Sequence, residues 1–130
     1  MSNQQQSSVG TIVWTDITVD NADELREFYS QVVGWQSSEV AVGDHSDFNM
    51  HIPASNNVVA GICRTRGVNA DLPAAWLVYI TVDDLDQSVT RCLELGGRVI
   101  AGPREAGEHG RYCVIRDPAG AAAALFEAAK

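Results

Sequence analysis

The chain has 130 residues, a formal net charge of −8 and a pI near 4.6. This length suits one domain that buries most of its apolar surface without structural disulfides or metals. The acidic balance argues against nucleic-acid and anionic-membrane partners, because both require basic patches that neutralise phosphates. The three cysteines are odd in number and scattered along the chain, which favours reduced, buried thiols in a cytoplasmic protein.

The first ten residues are polar and rich in Gln and Ser, with no basic start and no apolar run. A secretory signal needs a basic start followed by an apolar run, and a membrane span needs a long apolar run. We therefore expect residues 1–10 to form a disordered tail. A single domain is predicted to follow over residues 11–128.

The first half of the domain, residues 11–66, carries the signals of a βαβββ unit. Residues 11–19 alternate with period 2, which predicts a strand with Trp14 and Asp16 on the same face. A polar cap then begins a helix that Gly34 ends. Three further strands are predicted, separated by polar or Gly-bearing turns, at residues 35–42, 47–53 and 57–64.

The second half, residues 74–128, repeats this order at an offset of 63 positions. The offset relates a strand end, a helix start and a helix stop, namely Ile17-Thr18-Val19-Asp20 to Ile80-Thr81-Val82-Asp83, Asp23 to Asp86, and Gly34 to Gly97. The predicted elements are a strand at 75–82, a helix at 83–95 and strands at 98–101, 110–116 and 121–126. A sheet with one helix leaves its other face bare, so each module must bury that face on a partner.

Short segments at the element boundaries carry a resemblance: Phe28-Tyr29, Gly34-Trp35, Gly96-Gly97, and Asp117-Pro118-Ala119-Gly120 through Leu125-Phe126-Glu127. They resemble the vicinal oxygen chelate superfamily of glyoxalase I, bleomycin resistance proteins and extradiol dioxygenases. The start of the second module, Trp-Leu-Val-Tyr, is similar to the small bacterial glyoxalase-like branch. The resemblance implies an α+β fold, in which two tandem βαβββ modules form a paired, curved mixed sheet around a ligand cavity.

In metal-dependent members of this superfamily, the first and last strands of each module supply the ligands of one divalent cation. The first-strand positions match Trp14 and Leu77 here, and neither can ligate a metal. The last strand of the first module offers Cys63 or, at the strict offset, Arg64. Only Glu127 keeps a family-type ligand. We therefore expect no Zn, Ni, Mn or Fe site, because a divalent cation needs several ligands.

Without a metal, the cavity between the modules is predicted to be an apolar slot with a few polar groups. Alternation aims Glu127 at the same face as Leu125, which we expect to be the concave one. An inward Asp16 would be a general base or a binding group for a cationic ligand. Asp16 and Glu127 are thus the candidate catalytic residues, and both join the predicted ligand-binding set with Trp14, Leu77, Tyr79, Arg111 and Tyr112.

The histidines and possible nucleophiles predict no second site. His45 and His109 lie in polar, Gly-flanked loops and are expected to be solvated, while His51 lies in a candidate strand. No pair has the spacing of a helix-borne metal motif. No Ser-His-Asp or Cys-His pattern places a nucleophile next to a base.

Two functions follow from the resemblance. The protein is either a metal-free module that binds a small organic molecule, comparable to the bleomycin resistance proteins, or a lyase, isomerase or dioxygenase. The second would use a metal at Glu127, or acid-base chemistry with Asp16 and Glu127. We also expect a homodimer. The modules could pair within one chain or swap between two chains.

Overall fold

The computed structural model describes residues 8–130, apart from the side chain of Val68, and it divides into two compact units. The N-terminal unit is Trp14–Trp76, and the C-terminal unit is Leu77–Lys130 together with the residues up to Val13. Most of the predicted tail, residues 1–7, lies outside the described residues. Its last three residues lead into a turn, where the Gly10 amide donates to the Thr81 carbonyl at 2.8 Å. These three residues therefore belong to the C-terminal unit.

The N-terminal unit has the predicted βαβββ order. Its strand order is β2-β3-β4-β1, where β1 runs parallel to β4 and the other two pairings are antiparallel. The elements are β1 (Ile12–Val19), α1 (Ala22–Val33), β2 (Gln36–Val42), β3 (His45–His51) and β4 (Val58–Arg64).

Helix α1 covers one face of this sheet. Gly34 ends the helix as predicted, since it takes a positive φ of 94° and donates its amide to the Ser30 carbonyl. Beside the helix, the Trp76 indole donates to the Tyr29 hydroxyl at 3.1 Å. The core between helix and sheet contains apolar residues that alternate along the strands: Ile17, Val19, Phe48, Met50, Ala60 and Ile62.

The C-terminal unit repeats this arrangement with the order β5-β8-β7-β6, in which β5 and β8 are parallel. Its elements are β5 (Leu77–Thr81), α2 (Leu85–Glu94), β6 (Arg98–Glu105), β7 (Gly110–Arg116) and β8 (Ala122–Ala128). The predicted α+β class is confirmed. Strand β6 is longer than predicted, because it continues past Gly102-Pro103 with an irregular register.

Helix α2 packs on the C-terminal sheet in the same way. The Asp84 carboxylate accepts the Gln87 amide at 3.0 Å and caps the helix. The helix covers a core formed by Leu85, Cys113 and Leu125, with Val82, Val89, Val99 and Ile115 packed against it. The predicted turn at 117–120 is also present, since the Asp117 carboxylate accepts the amides of Ala119 and Ala121.

Each unit thus has a helix face, where its helix packs, and a helix-free face on the other side of the sheet. Because side chains alternate along a strand, residues adjacent to a core residue point to the helix-free face. Within residues 8–130, no helix has the length and apolar character that crossing a bilayer requires. The thiols of Cys63, Cys92 and Cys113 are all free.

Candidate functional site

A row of four residues, three polar and one glycine, crosses the helix-free face of the N-terminal unit. Its members are cross-strand partners, so their side chains lie on one face. Ser38 pairs with Asn49, Asn49 with Gly61, and Gly61 with Asp16. The row therefore spans all four strands and ends at the predicted site residue Asp16.

Trp14 and Asp16 form a joined pair beside this row. The Trp14 indole N–H donates to the Asp16 carboxylate at 3.1 Å. The indole also lies against Gly61, where an added Cβ would come within 3.0 Å of the ring atom Cζ2 and 3.3 Å of the Asp16 Cβ. Glycine at position 61 allows this close approach. The predicted sharing of one face by Trp14 and Asp16 is confirmed.

Cys63 lies on the same face, next to Thr18 in the pairing of β4 with β1. Burial, and then the negative charges of Asp16 and Asp47, raise the pKa of this thiol far above its ordinary value. The neutral thiol is a weak nucleophile and a poor metal ligand. Cys63 is thus an inert lining residue rather than a reactive group.

Asp47 and His45 lie at the start of β3, next to the turn that joins it to β2. The Asp47 carboxylate accepts the Arg64 amide at 2.9 Å, and the His45 Nε2 lies 3.6 Å from the same oxygen. Only 13% of the His45 side chain is exposed. The expectation that His45 is solvated is therefore wrong, because His45 is the first residue of β3 rather than part of a loop, and its ring lies near Asp47. His109 is exposed, as expected.

His51 contacts Ser38 across the β2–β3 hairpin. The Ser38 Oγ lies 2.7 Å from Nε2 of His51, and Nδ1 of His51 lies 3.1 Å from the Asn56 carbonyl oxygen. The sequence did not indicate this contact. The two residues are 13 positions apart, and only the strand register, which a single sequence does not specify, brings them together.

The helix-free face of the C-terminal unit carries an apolar row at the matching place. Ala101 pairs with Val114, Val114 with Ala124, and Ala124 with Tyr79. Val114 and Ala124 have no exposed surface. The predicted ligand-binding residues Leu77, Tyr79 and Tyr112 lie on this face, where the two tyrosine rings are 6.1 Å apart.

Glu127 lies on the other side of this sheet. It shares a face with Leu125 as predicted, but that face is the helix face, so the expected concave placement is wrong. Its Oε1 accepts the Leu85 amide at the start of α2 at 2.7 Å. Arg64, its equivalent at the 63-residue offset, also reaches its own helix and donates to Asp23 at 3.0 Å. Each of these two residues thus links the last strand of its own unit to the start of that unit's helix.

Arg111 is likewise on the helix face, apart from Tyr112. Its guanidinium lies 3.3 Å from Asp86 and 3.4 Å from Glu127. Hydrogen bonds to Asp86 and then Glu127 raise the pKa of Arg111.

A cleft of about 130 Å³ includes Glu127 in its wall. This is less than the roughly 300–1,000 Å³ of an ordinary ligand pocket, so the cleft is too small for a typical organic ligand.

The donor set does not fit the divalent cation of the metal-dependent relatives. Trp14 and Leu77 cannot ligate a metal, and Arg64 and Glu127 are directed at helix starts on the opposite faces. Among the described residues, no three His, Cys, Asp or Glu side chains are grouped so that they could hold a metal ion. The residues at these four positions therefore do not form the metal site of the metal-dependent relatives.

Two relatives match this chain along most of its length. The chain is 32% identical over 117 residues to "Putative glyoxylase CFP32" of Mycobacterium bovis, a match that covers 88% of this chain and 43% of the relative. It is 30% identical over 132 residues to "Anthracycline biosynthesis protein DnrV" of Streptomyces peucetius, covering 90% of this chain and 46% of the relative. The chain thus spans less than half the length of these relatives.

Solved structures with the same fold include two methylmalonyl-CoA epimerases. The Mycobacterium tuberculosis enzyme has a TM-score of 0.55 and 21% identity, covering 96% of this chain and 93% of its own. A Streptomyces coelicolor variant has a TM-score of 0.58 and 16% identity, covering 95% and 100%. Residues 11–125 match the family itself. The chain therefore belongs to the Glyoxalase/Bleomycin resistance protein/Dioxygenase superfamily.

Proposed function

We propose that this protein binds a small aromatic cation on the helix-free face of the N-terminal unit and does so without a divalent metal. The observation that carries the proposal is the Trp14–Asp16 pair, in which an indole and a carboxylate meet over Gly61. The indole supplies a surface for stacking and for cation-π contact. The carboxylate supplies a charged acceptor.

The energetics favour a ligand with both features. A cation over a tryptophan ring contributes about 0.5–2 kcal/mol, with the larger value where water is excluded. A hydrogen bond to a charged group contributes about 1.5–3 kcal/mol. Asp47, on the same face, adds a second negative charge. A neutral or anionic ligand would gain only the stacking contribution.

The relatives support an aromatic ligand. One is named for the biosynthesis of anthracyclines, which are compounds built on fused aromatic rings. The superfamily name also includes bleomycin resistance proteins. The metal-dependent lyase, isomerase or dioxygenase that would use Glu127 has less support, because Glu127 lies on the helix face and binds the Leu85 amide.

The test uses a matched pair of ligands in isothermal titration calorimetry. One is an anthracycline with a free amino sugar, and the other is the same compound with that amine acetylated and therefore neutral. We expect the cationic form to bind at least about tenfold more tightly, a difference of about 1.4 kcal/mol. Asp16→Asn should remove this preference.

Asp20→Asn is the matched control, since it makes the same change of charge at an exposed position next to β1. It should leave the preference intact. The proposal is wrong if neither compound binds, if both bind equally well, or if Asp16→Asn and Asp20→Asn have the same effect.

A further inference from the structure

The Ser38–His51 contact has a defined direction of hydrogen bonding. The Asn56 carbonyl can only accept, so Nδ1 of His51 carries the hydrogen in that 3.1 Å bond. In the neutral imidazole, Nε2 is then the acceptor. The Ser38 hydroxyl, 2.7 Å away, therefore donates to Nε2.

The backbone fixes both partners of the imidazole. Ser38 lies on β2 in register with Asn49, and His51 lies on β3 in register with Gln36. The loop after β3 is closed by the Asn56 amide, which donates to the Ile52 carbonyl at 2.7 Å, and by the Ile52 amide, which donates to the Asn57 carbonyl at 2.9 Å. Asn56 takes a positive φ of 63°, which is uncommon for a residue other than glycine. These two hydrogen bonds thus hold in place the Asn56 carbonyl that orients the His51 imidazole.

We propose that Ser38 is an activated nucleophile that accepts an acyl group from an ester, with His51 as its base. Its Oγ attacks the ester carbonyl carbon while Nε2 of His51 takes the hydroxyl proton. The carbon–oxygen bond to the alcohol then breaks, and His51 returns the proton to the departing alkoxide. A water molecule hydrolyses the acyl-serine by the same transfers, which releases the acid and restores Ser38.

Two neighbours fit this chemistry. The Asn56 carbonyl accepts the Nδ1 hydrogen and stabilises the imidazolium that forms during attack, as a carboxylate does in the better-known triads. Asn49 is the direct cross-strand neighbour of Ser38, and its amide can donate to the developing oxyanion. Ser38 is exposed, so an ester in solution can reach it.

An alkyl fluorophosphonate probe tests the proposal independently of any natural substrate. Attack by Ser38 forms the oxygen–phosphorus bond and releases fluoride, with the proton passing to His51 and then to solvent. Peptide mass spectrometry should find the probe on Ser38 of the full chain. We expect His51→Gln to slow the labelling by about 100-fold or more, the usual contribution of a general base.

Ser37→Ala is the matched control, because Ser37 pairs with Met50 and points to the helix face. It should label like the unmodified protein, and Ser38→Ala should not label. Circular dichroism of each variant checks that the fold is retained. No labelling of Ser38, or labelling at an unchanged rate in His51→Gln, would overturn the proposal.

Discussion

The helix-free faces of the two units share one backbone plan but differ in chemistry. Across the N-terminal sheet run Ser38, Asn49, Gly61 and Asp16, and across the C-terminal sheet run Ala101, Val114, Ala124 and Tyr79. The pairing of the strands is equivalent in both. The same architecture thus carries a polar row on one helix-free face and an apolar, largely buried row on the other, so the strand plan alone does not determine the polarity of this face.

The largest expected effect comes from exchanging one residue between the rows. Val114→Asn places an amide where the side chain is fully buried and its neighbours are apolar. We expect a loss of about 3 kcal/mol in the free energy of unfolding, measured by denaturant titration. The reverse change, Asn49→Val, removes a half-buried amide and should alter that free energy by less than about 1 kcal/mol. Equal costs at the two sites would remove the distinction between the faces.

A smaller effect is expected where each unit ties its last strand to its helix. Glu127→Ala leaves the Leu85 amide, at a fully buried helix start, without its acceptor. This should cost about 1–2 kcal/mol in thermal or denaturant unfolding. Glu127→Gln keeps an acceptor oxygen and should recover most of the loss.

The equivalent change in the N-terminal unit, Arg64→Ala, should cost no more than about 1 kcal/mol, because its partner Asp23 is 66% exposed and water screens the ion pair. A larger cost for Arg64→Ala than for Glu127→Ala would contradict this reading of the two contacts.

The last effect depends on pH and concerns Cys63, which lies on the polar face at the offset position of Phe126. Because the folded protein keeps this thiol neutral, the unfolded chain ionises first. The stability that the neutral thiol contributes is fully present below the pKa of the unfolded thiol, about 8.5. The free energy of unfolding falls as pH rises above that value. We expect unfolding free energies between pH 9 and 10.5 to fall less steeply in Cys63→Ala, by up to about 1.4 kcal/mol per pH unit. Identical slopes would show that the thiol is not held neutral.

The repeat in the sequence was enough to predict the order of helices and strands in both modules, and the family resemblance implied how the strands form a sheet. The 63-residue offset aligned strands, helix starts and the helix end at Gly34, because the positions where helices begin and end depend on local residue types. The exception was β6, which was expected to end before Gly102-Pro103 and instead continues through them. Gly and Pro usually interrupt strands, but an irregular register accommodates both here.

The site was predictable only in part. Alternation correctly grouped Trp14 with Asp16 and Leu125 with Glu127, but period 2 does not show which face a helix covers. Glu127 was therefore assigned to the wrong side. Ser38 and His51 could not be joined from sequence, because their contact depends on the register of the β2–β3 hairpin, which a single sequence does not specify. The sequence also did not indicate that Gly61 is needed for the close approach of the Trp14 ring, because that contact lies between two strands.

The opposite charges of Arg64 and Glu127 show that the same link between a last strand and its helix can be made with different charges. In the N-terminal unit, Arg64 attracts Asp23 directly. In the C-terminal unit, the equivalent residues Glu127 and Asp86 are both carboxylates, and the Arg111 guanidinium lies 3.4 Å from the first and 3.3 Å from the second. A cation on the neighbouring strand β7 thus compensates the reversal of charge at one position of the repeated module, and the link between strand and helix is kept.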